Sequence, residues 1–506
     1  MPRFKDYDYN QMKMIPLSFD RQILPGSFEY SLCYLIDHEI DQKIFYHRYI
    51  NDNNGRPAYD PALLLKIVIL AYSKGITSSR KIENLCRENI VFMAISADTR
   101  PHFTTVADFI SRSVDEIASL FKQVLMMCDE LGLIGKDMFA IDGCKLPSNA
   151  SKDWSGTRAE LKKKQDKIDK AVRFMLDKHR QTDNTEKDSE IIDREQQQIE
   201  KLKAASKKIK TFLAKNEDRT GISGHVIKSN ITDNDSAKMK TSHGVIQGYN
   251  GVASADSKHQ VIVAAEAYGQ GQEHDLLEPM IEQTHKNLKY SKQQKQKTKI
   301  TADSGYCNKK SLAYLDANDI DGYIADTGFR SRDPRFKDYK EHKSKERLKP
   351  KTKFKTEDFK VDIKKQTCTC PAGKALWLKA AKAKIGDDEF MQFQACESDC
   401  PVCPLKAQCL RKVDQKTPRQ VNIKVGTTDK KKNSLLEKMK QKIDSDKGRY
   451  IYSQRLGTVE PVFGHINTMI GIKRFNLRGK TKVNAQWQLI SMVHNILKIH
   501  RYGWQW

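Results

Sequence analysis

Hydrophobic positions along the chain change period several times, and each change predicts a different kind of element. The segment DPALLLKIVILAYSKG sets Asp60 and Pro61 at a helix start, continues with an apolar face and closes on Gly75. That is the order of cap, first-turn proline and terminal glycine that a helix favours. TSSRKIENLCRENIVFMAIS predicts a second helix capped between Thr77 and Ser79. TTVADFISRSVDEIASLFKQVLMMCDELGLI then predicts one long amphipathic helix ending near Gly132, so residues from about 28 to 135 read as helical. Short helices carrying Arg80, Lys81 and Arg87 suit a plain helical bundle, a dimer interface or a helix-turn-helix DNA reader, and pattern alone favours the bundle.

Beyond Lys136 the period shortens. DMFAIDGCKL reads as an apolar strand ending in an acidic turn. From about Arg158 to Lys215 the sequence becomes highly charged, with Ile192, Ile199, Leu202, Ile209 and Phe212 at near-heptad spacing. The polar break QTDNT divides it into two antiparallel helices, a charged hairpin. VIQGYNGVASAD and HQVIVAAEAYG read as two strands of a β-hairpin. Helix DLLEPMIEQTHKNL, strand KITAD, helix KKSLAYLDAND and strand GYIAD follow. Three strands followed by helix–strand alternation imply a mixed sheet flanked by helices, the order of a ribonuclease H-like core. Residues from about Gly328 to Asp446 break the pattern with basic runs such as KEHKSKERLKPKTKFK and a crowd of cysteines, and a helical block closes the chain.

Charge sharpens this picture. The 506 residues carry 89 Lys and Arg against 64 acids, a net charge of +25. Such an excess points to a polyanionic partner, although a basic ribosome-associated protein would share it. The charged start MPRFKDYDYNQMKM has no secretory pattern, and the longest apolar run, Leu63 to Tyr72, is too short to span a bilayer. A soluble, intracellular protein with no membrane role is expected.

Two acids stand out chemically. Asp142 in AIDGCK and Asp303 in TADSGY each follow an apolar strand and precede a glycine turn. Alone, either would be a turn cap. As a pair at matching places in the strand order, they suit phosphodiester chemistry, where carboxylates hold divalent ions that activate an oxygen and neutralise a phosphate.

The segment YSQRLGTVEPVFGHINTMIGIKRFNLRGKTKVNAQWQLISMVHNILKI resembles the C-terminal signature of bacterial insertion-sequence transposases of the Asp-Asp-Glu (DDE) type. Tyr452, Arg455, Glu460, Phe463, Gly464, Arg474, Phe475, Leu477, Arg478 and Gly479 fall on its motif positions, and Trp487, His494 and Asn495 fit its closing helix. AIDGCKLPSNAS resembles the first-acid motif, TADSGYCNKKSLAYL the second, and GRPAYDPALLLKIVILAYSKGITSSRKIE the domain that precedes the core. The resemblance implies Asp142, Asp303 and Glu460 as Mg²⁺ (or Mn²⁺) ligands and catalytic carboxylates. It makes Tyr452 and Arg455 candidate contacts to DNA phosphates, although Arg455 could instead pair with Glu460 on one helix. Two departures appear. Cys144 stands where the family usually has Thr, and Asn467 where it usually has Lys, so Lys473 and Arg474, with Arg478, become substitute DNA contacts. The acids lie 161 and 157 residues apart, room for inserted subdomains.

Six of the eleven cysteines lie between Cys368 and Cys409. Cys400 and Cys403 have the spacing of a zinc half-site. The preferred set for a structural Zn²⁺ is Cys370, Cys400, Cys403 and Cys409, with Cys368 and Cys396 as alternates. Free thiols, a redox pair or an iron–sulfur cluster are the competing readings. The zinc would staple an insertion too polar to build its own core.

The expectation is an α/β protein with a ribonuclease H-like mixed sheet core. Residues 1–135 would form a helical DNA-binding or dimerisation domain, 136–157 the start of the core, 158–225 a charged helical insertion and 226–327 the core continued. Residues 328–447 would be a basic Cys-rich insertion and 448–506 the helical end of the core. The expected activity is cleavage at element ends and strand transfer, by a homodimer or larger assembly on double-stranded DNA, in the cytoplasm at the nucleoid. A nuclease without strand transfer and a non-catalytic DNA-binding protein from a decayed element are the rival functions.

Overall fold

The computed structural model describes residues 16–49, 57–182, 189–220, 226–242, 244–336, 353–386, 388–410, 415, 417–427 and 434–503. It divides into two compact units, Met1–Tyr306 with Ile320–Gly322 and Ser453–Trp506, and Cys307–Asp319 with Tyr323–Tyr452. The basic run KEHKSKERLKPKTKFK lies, up to residue 352, outside the described residues.

The first unit opens with helices α1 (Phe28–Tyr34), α2 (Pro61–Ser73), α3 (Ser79–Glu88), α4 (Ile90–Ile95), α5 (Phe103–Arg112) and α6 (Val114–Glu130). Asp60 caps α2 by accepting from the Ala62 amide at 2.8 Å. Gly75 ends it at φ +71, where a Cβ would sit 2.2 Å from the Ile470 carbonyl oxygen. Two helices expected to be continuous are broken. Asn89 leaves helical geometry (φ −108, ψ 120), closing α3 and capping α4 through its side chain. Ser113 (φ −88, ψ 49) separates α5 from α6. Asn89 competes for backbone groups through its side chain, whereas the buried Ser113 hydroxyl makes no hydrogen bond.

The sheet of this unit has strands β1 (Met138–Pro147), β2 (Ala237–Thr241), β3 (Gly244–Asp256), β4 (Ile262–Tyr268) and β5 (Lys299–Ala302), with β6 (Asp321–Ile324) at its edge. Its order is β6-β5-β1-β3-β2, with β4 also paired to β3. β1 runs parallel to β5 and antiparallel to β3, and β3 forms a hairpin with β4. That is a ribonuclease H-like mixed sheet. β1 does not end at Asp142, as the acidic turn suggested. It continues to Pro147 because residues 143–147 keep pairing with β3.

Helix α7 (Arg158–Thr182) lies against α8 (Ser189–Lys215). Their shared core is Leu161, Ile209 and Leu213 with Trp154, Ile168, Phe212 and Ile231 packed on it. Residues 183–188, which hold most of the polar break QTDNT, are not among the described residues. The Arg158 guanidinium ties the hairpin base by donating to the Leu213 and Asn216 carbonyls, both at 2.6 Å. Helix α9 (Leu277–Asn287) packs on β3 and β4.

The closing helix α13 (Lys480–Tyr502), preceded by α12 (Asp446–Gly464), packs against α6, α2 and β4. Helices from the 1–135 segment share one compact unit with the sheet. Asn495 brackets β4 by accepting from the Ile262 amide and donating to its carbonyl, both at 2.8 Å. Fully buried Trp487 donates to the Val252 carbonyl at 2.9 Å. Its ring lies over Gly251, where a Cβ would come within 3.0 Å of it. Truncating a tryptophan so buried costs roughly 3–5 kcal/mol.

The second unit carries helices α10 (Lys309–Ala317) and α11 (Leu435–Asp444), which pack together. It also carries β7 (Lys360–Asp362), β8 (Thr367–Thr369), β9 (Ala375–Ile385), β10 (Asp388–Gln394) and β11 (Gln420–Thr427). These five form an antiparallel meander in sequence order. The segment builds a core of its own from Phe359, Cys368, Leu376, Met391, Phe393 and Val421. The expectation that it is too polar to do so fails, because the alternation along β10 and β11 turns one face inward.

Candidate active site

The parallel register of β1 and β5 pairs Ile141 with Ala302. The next residue on each strand is an aspartate, Asp142 on β1 and Asp303 just past β5, so the two acids flank the point where the strands part. Arg455 of α12 reaches both. Its Nη1 lies 2.8 Å from Asp142 Oδ2 and its Nη2 3.8 Å from Asp303 Oδ1, with the side chain only 8% exposed. The Gly143 amide donates to Asp142 Oδ1 at 2.8 Å. Burial pushes the Asp142 carboxyl above its usual range, and Asp303 adds to this, against the lowering effect of Arg455 and the Gly143 amide. The guanidinium thus stands where two like charges meet.

A third carboxylate faces this pair from the loop between β4 and α9. Burial raises the Glu273 carboxyl, and Asp142 and Asp303 raise it further, while hydrogen bonding to Asn250 opposes them. Asn250 Nδ2 donates to Glu273 Oε1 at 3.0 Å. The buried Tyr306 hydroxyl is pushed well above its ordinary value by desolvation, then by Glu273, Asp142 and Asp303. Glu273 was not anticipated from sequence. Its acid stands in a polar loop, GQGQEHD, with no strand or glycine turn to single it out. The available signal was Asn250, an amide in the interior of a strand, which demands a polar neighbour.

Comparison with known families agrees with this architecture. Residues 369–500 match the family model of the transposase DDE domain, and residues 17–112 match that of a transposase domain. Both matches support an insertion-sequence DDE transposase. No curated protein and no solved structure matches it. The transposase acts on DNA, and its family generally uses a divalent metal.

Glu460 of the transposase lies on α12, five residues beyond Arg455 and so about 140° around the helix. It is exposed, on the side away from buried Ile451, Val459 and Val462, and makes no hydrogen bond or ion pair with a described residue. Arg455 accordingly pairs with Asp142 rather than with Glu460. Among the described residues no group of three or more His, Cys, Asp or Glu is close enough to hold a metal ion as it stands.

The basic candidates fall in two places. Arg474 donates to Asn149 Oδ1 at 3.3 Å and Arg478 to the Asn149 carbonyl at 2.8 Å. The Phe475 amide bonds the Pro147 carbonyl at 2.9 Å. The loop after α12 is therefore clipped onto the far end of β1, with Lys473 exposed beside it. Tyr452 belongs to the second unit, its ring edge-on to Phe329 at 5.1 Å. Among the N-terminal candidates, Lys81 is exposed, Arg80 stacks over Phe103 at 4.9 Å and Arg87 pairs with Glu83. The two departures from the family meet each other: the Cys144 thiol, pushed up to about 12 by burial and by Asp142, is hydrogen-bonded to Asn467.

In the second unit, Cys370, Cys400, Cys403 and Cys409 line one cavity of about 40 Å³. Burial raises the Cys409 thiol, and the neighbouring Cys400, Cys370 and Cys403 sulfurs raise it further against Arg419. The Lys374 amide donates to Cys370 Sγ at 3.4 Å. Cys368 is buried in the apolar core behind β8, and Cys396 is exposed.

Proposed function

We propose that this transposase cleaves DNA at the ends of its element and joins the freed 3′ ends to target DNA, with Asp142, Asp303 and Glu460 as its metal-holding carboxylates. The observation that carries the reading is the strand register that makes Asp142 and Asp303 neighbours around one shared guanidinium. Carboxylates so close repel unless a cation lies between them, and hard oxygen donors suit Mg²⁺ or Mn²⁺. Arg455 already supplies positive charge at that point, so the donor set fits a divalent ion. Such ions, when bound, activate the attacking oxygen and neutralise charge on the phosphate.

The chain's own residues orient the rest. The Gly143 amide holds one oxygen of Asp142 and Arg455 the other. Arg455, once displaced from the aspartates, offers a planar fork suited to two phosphate oxygens. Tyr452, Lys473, Arg474 and Arg478 would hold double-stranded DNA at the terminal repeats and target. Two ends must be brought together, which calls for a homodimer or larger assembly. Binding resting on so many phosphate contacts weakens steeply with salt.

The cysteine cavity suits a structural Zn²⁺ held by Cys370, Cys400, Cys403 and Cys409. Four cysteines line one cavity, and as thiolates they would repel one another unless a metal lay among them. A zinc there would fasten the loop after β10 to the β8–β9 turn.

Asp142→Asn tests the catalytic reading. It should abolish Mg²⁺-dependent cleavage of a terminal-repeat duplex while the duplex still binds. Joining of precut ends to a plasmid separates a transposase from a nuclease. A wild-type protein that binds ends under all divalent-ion conditions and never cuts them would favour the non-catalytic alternative.

A further inference from the structure

We propose that Glu273 is a further metal-facing carboxylate of the Asp142–Asp303 site, held ready by Asn250 and by the two glycines that follow the aspartates. The inference rests on the reading of that site as a divalent-ion centre.

The glycines show why the arrangement is built rather than incidental. A Cβ on Gly143, the residue after Asp142, would come within 2.5 Å of Asn250 Oδ1 and 2.9 Å of its Nδ2. A Cβ on Gly305, two residues past Asp303, would come within 2.9 Å of Glu273 Oε2. Both positions are therefore stripped to the backbone where the Asn250–Glu273 pair passes. Glu273 Oε1 is fixed by the Asn250 amide at 3.0 Å, and Oε2 lies over the backbone beside Asp303.

Asn250 adds an independent pointer. It is fully buried on β3, opposite Lys145 of β1, and its Oδ1 has no hydrogen-bond partner. A buried carbonyl oxygen left without a donor is costly. It is kept over Gly143, the residue after Asp142, where water coordinated to a bound cation could donate to it. A purely structural asparagine at this strand position would satisfy both ends of its amide within the protein.

The test uses the full chain and Mn²⁺ as the probe, read by the free-ion electron paramagnetic resonance signal. Asp142→Asn tests the underlying site, and Glu273→Gln tests this inference with little change in shape. Glu273→Gln is expected to weaken Mn²⁺ binding by tenfold or more, with its thermal melt in EDTA unchanged. Gly305→Ala, which crowds the same carboxylate, should weaken binding in the same direction. Wild-type-like Mn²⁺ affinity in Glu273→Gln, alongside lost affinity in Asp142→Asn, would overturn the role of Glu273 and leave the site standing. Unchanged affinity in Asp142→Asn would overturn the site itself and this inference with it.

Discussion

Replacing Arg455 with methionine keeps the length of the side chain and removes the charge that Asp142 and Asp303 share. At about 4 Å and an effective dielectric near 20, one such pair interacts by roughly 4 kcal/mol. Breaking a buried pair from one side typically costs about 3–5 kcal/mol, because the remaining charge is stranded. Asp142 supplies most of this, being the closer partner at 2.8 Å. Asp303, at 3.8 Å and 44% exposed, adds little, since solvent screens it. Arg455→Met should therefore lose about 3–4 kcal/mol at neutral pH in EDTA. The loss should shrink as acid neutralises Asp142, whose carboxyl already sits above its usual range. Urea unfolding followed by tryptophan fluorescence measures it, with buried Trp487 reporting from the same unit. Arg455→Met combined with Asp142→Asn should recover most of the loss, because the buried charge is gone and the half-exposed Asp303 is solvated. Saturating Mn²⁺ should stabilise Arg455→Met more than wild type, the ion taking the place that the guanidinium left. A double variant no more stable than Arg455→Met alone, with a coupling below about 0.5 kcal/mol, would refute the shared-cation account.

Two further outcomes follow from other sites. Cys403→Ser should drop the zinc content of purified protein, measured by plasma mass spectrometry, from about one atom per chain to near zero; a wild type lacking zinc would count against the four-sulfur site. His494 is fully buried, and its Nε2 faces the Gln260 carbonyl at 2.9 Å, so that nitrogen carries the proton and Nδ1 accepts from His465. Burial, then His465, pushes its pKa down to about 3. The unfolded chain takes up a proton that the folded one refuses, so this contribution is complete above about pH 6.5 and is lost as pH falls toward 3. At pH 5 the loss is about 2 kcal/mol, and His494→Gln should lose correspondingly less between pH 7 and pH 5 in the same unfolding assay.

Much of the fold could be read from period and punctuation. Asp60, Pro61 and Gly75 bounded α2, and the apolar runs around Asp142 and Asp303 gave two strands whose relation the sheet order then dictated. Asn89 and Ser113 went unread as helix breaks, although each is a residue type that competes for backbone hydrogen bonds. Periodicity continues across a single non-helical residue, so it could not place those breaks. The extension of β1 past Asp142 was hidden for a different reason. Pairing with β3 keeps it extended, and a sequence window carries no record of a partner more than 100 residues away. Arg455 illustrates the same limit. Local spacing offered Glu460 as a partner, whereas the structure gives it Asp142, across 313 residues.

The two halves of β1 do different work, and the change falls at Asp142. From Met138 to Ile141 the strand is held on both edges, by β5 and by β3. From Asp142 onward only β3 pairs with it, so the sheet opens on the β5 side at the first of the two aspartates. Crevices beyond the carboxyl ends of parallel strands are where α/β sheets place their ligands. Here the opening is bounded by charges of both signs: the aspartates with Arg455 at its root, and Arg474 and Arg478 clipped to Asn149 at the strand's far end. At about 3.3 Å per residue, Asp142 and Pro147 lie some 17 Å apart along the strand. Successive phosphates on one DNA strand advance about 3.4 Å along the duplex, so the opening spans roughly five of them. A duplex laid along β1 would bring one phosphate to the acids while its neighbours met the arginines. On the proposed reading, the length of β1 beyond Asp142 sets the distance between the acids and the arginines.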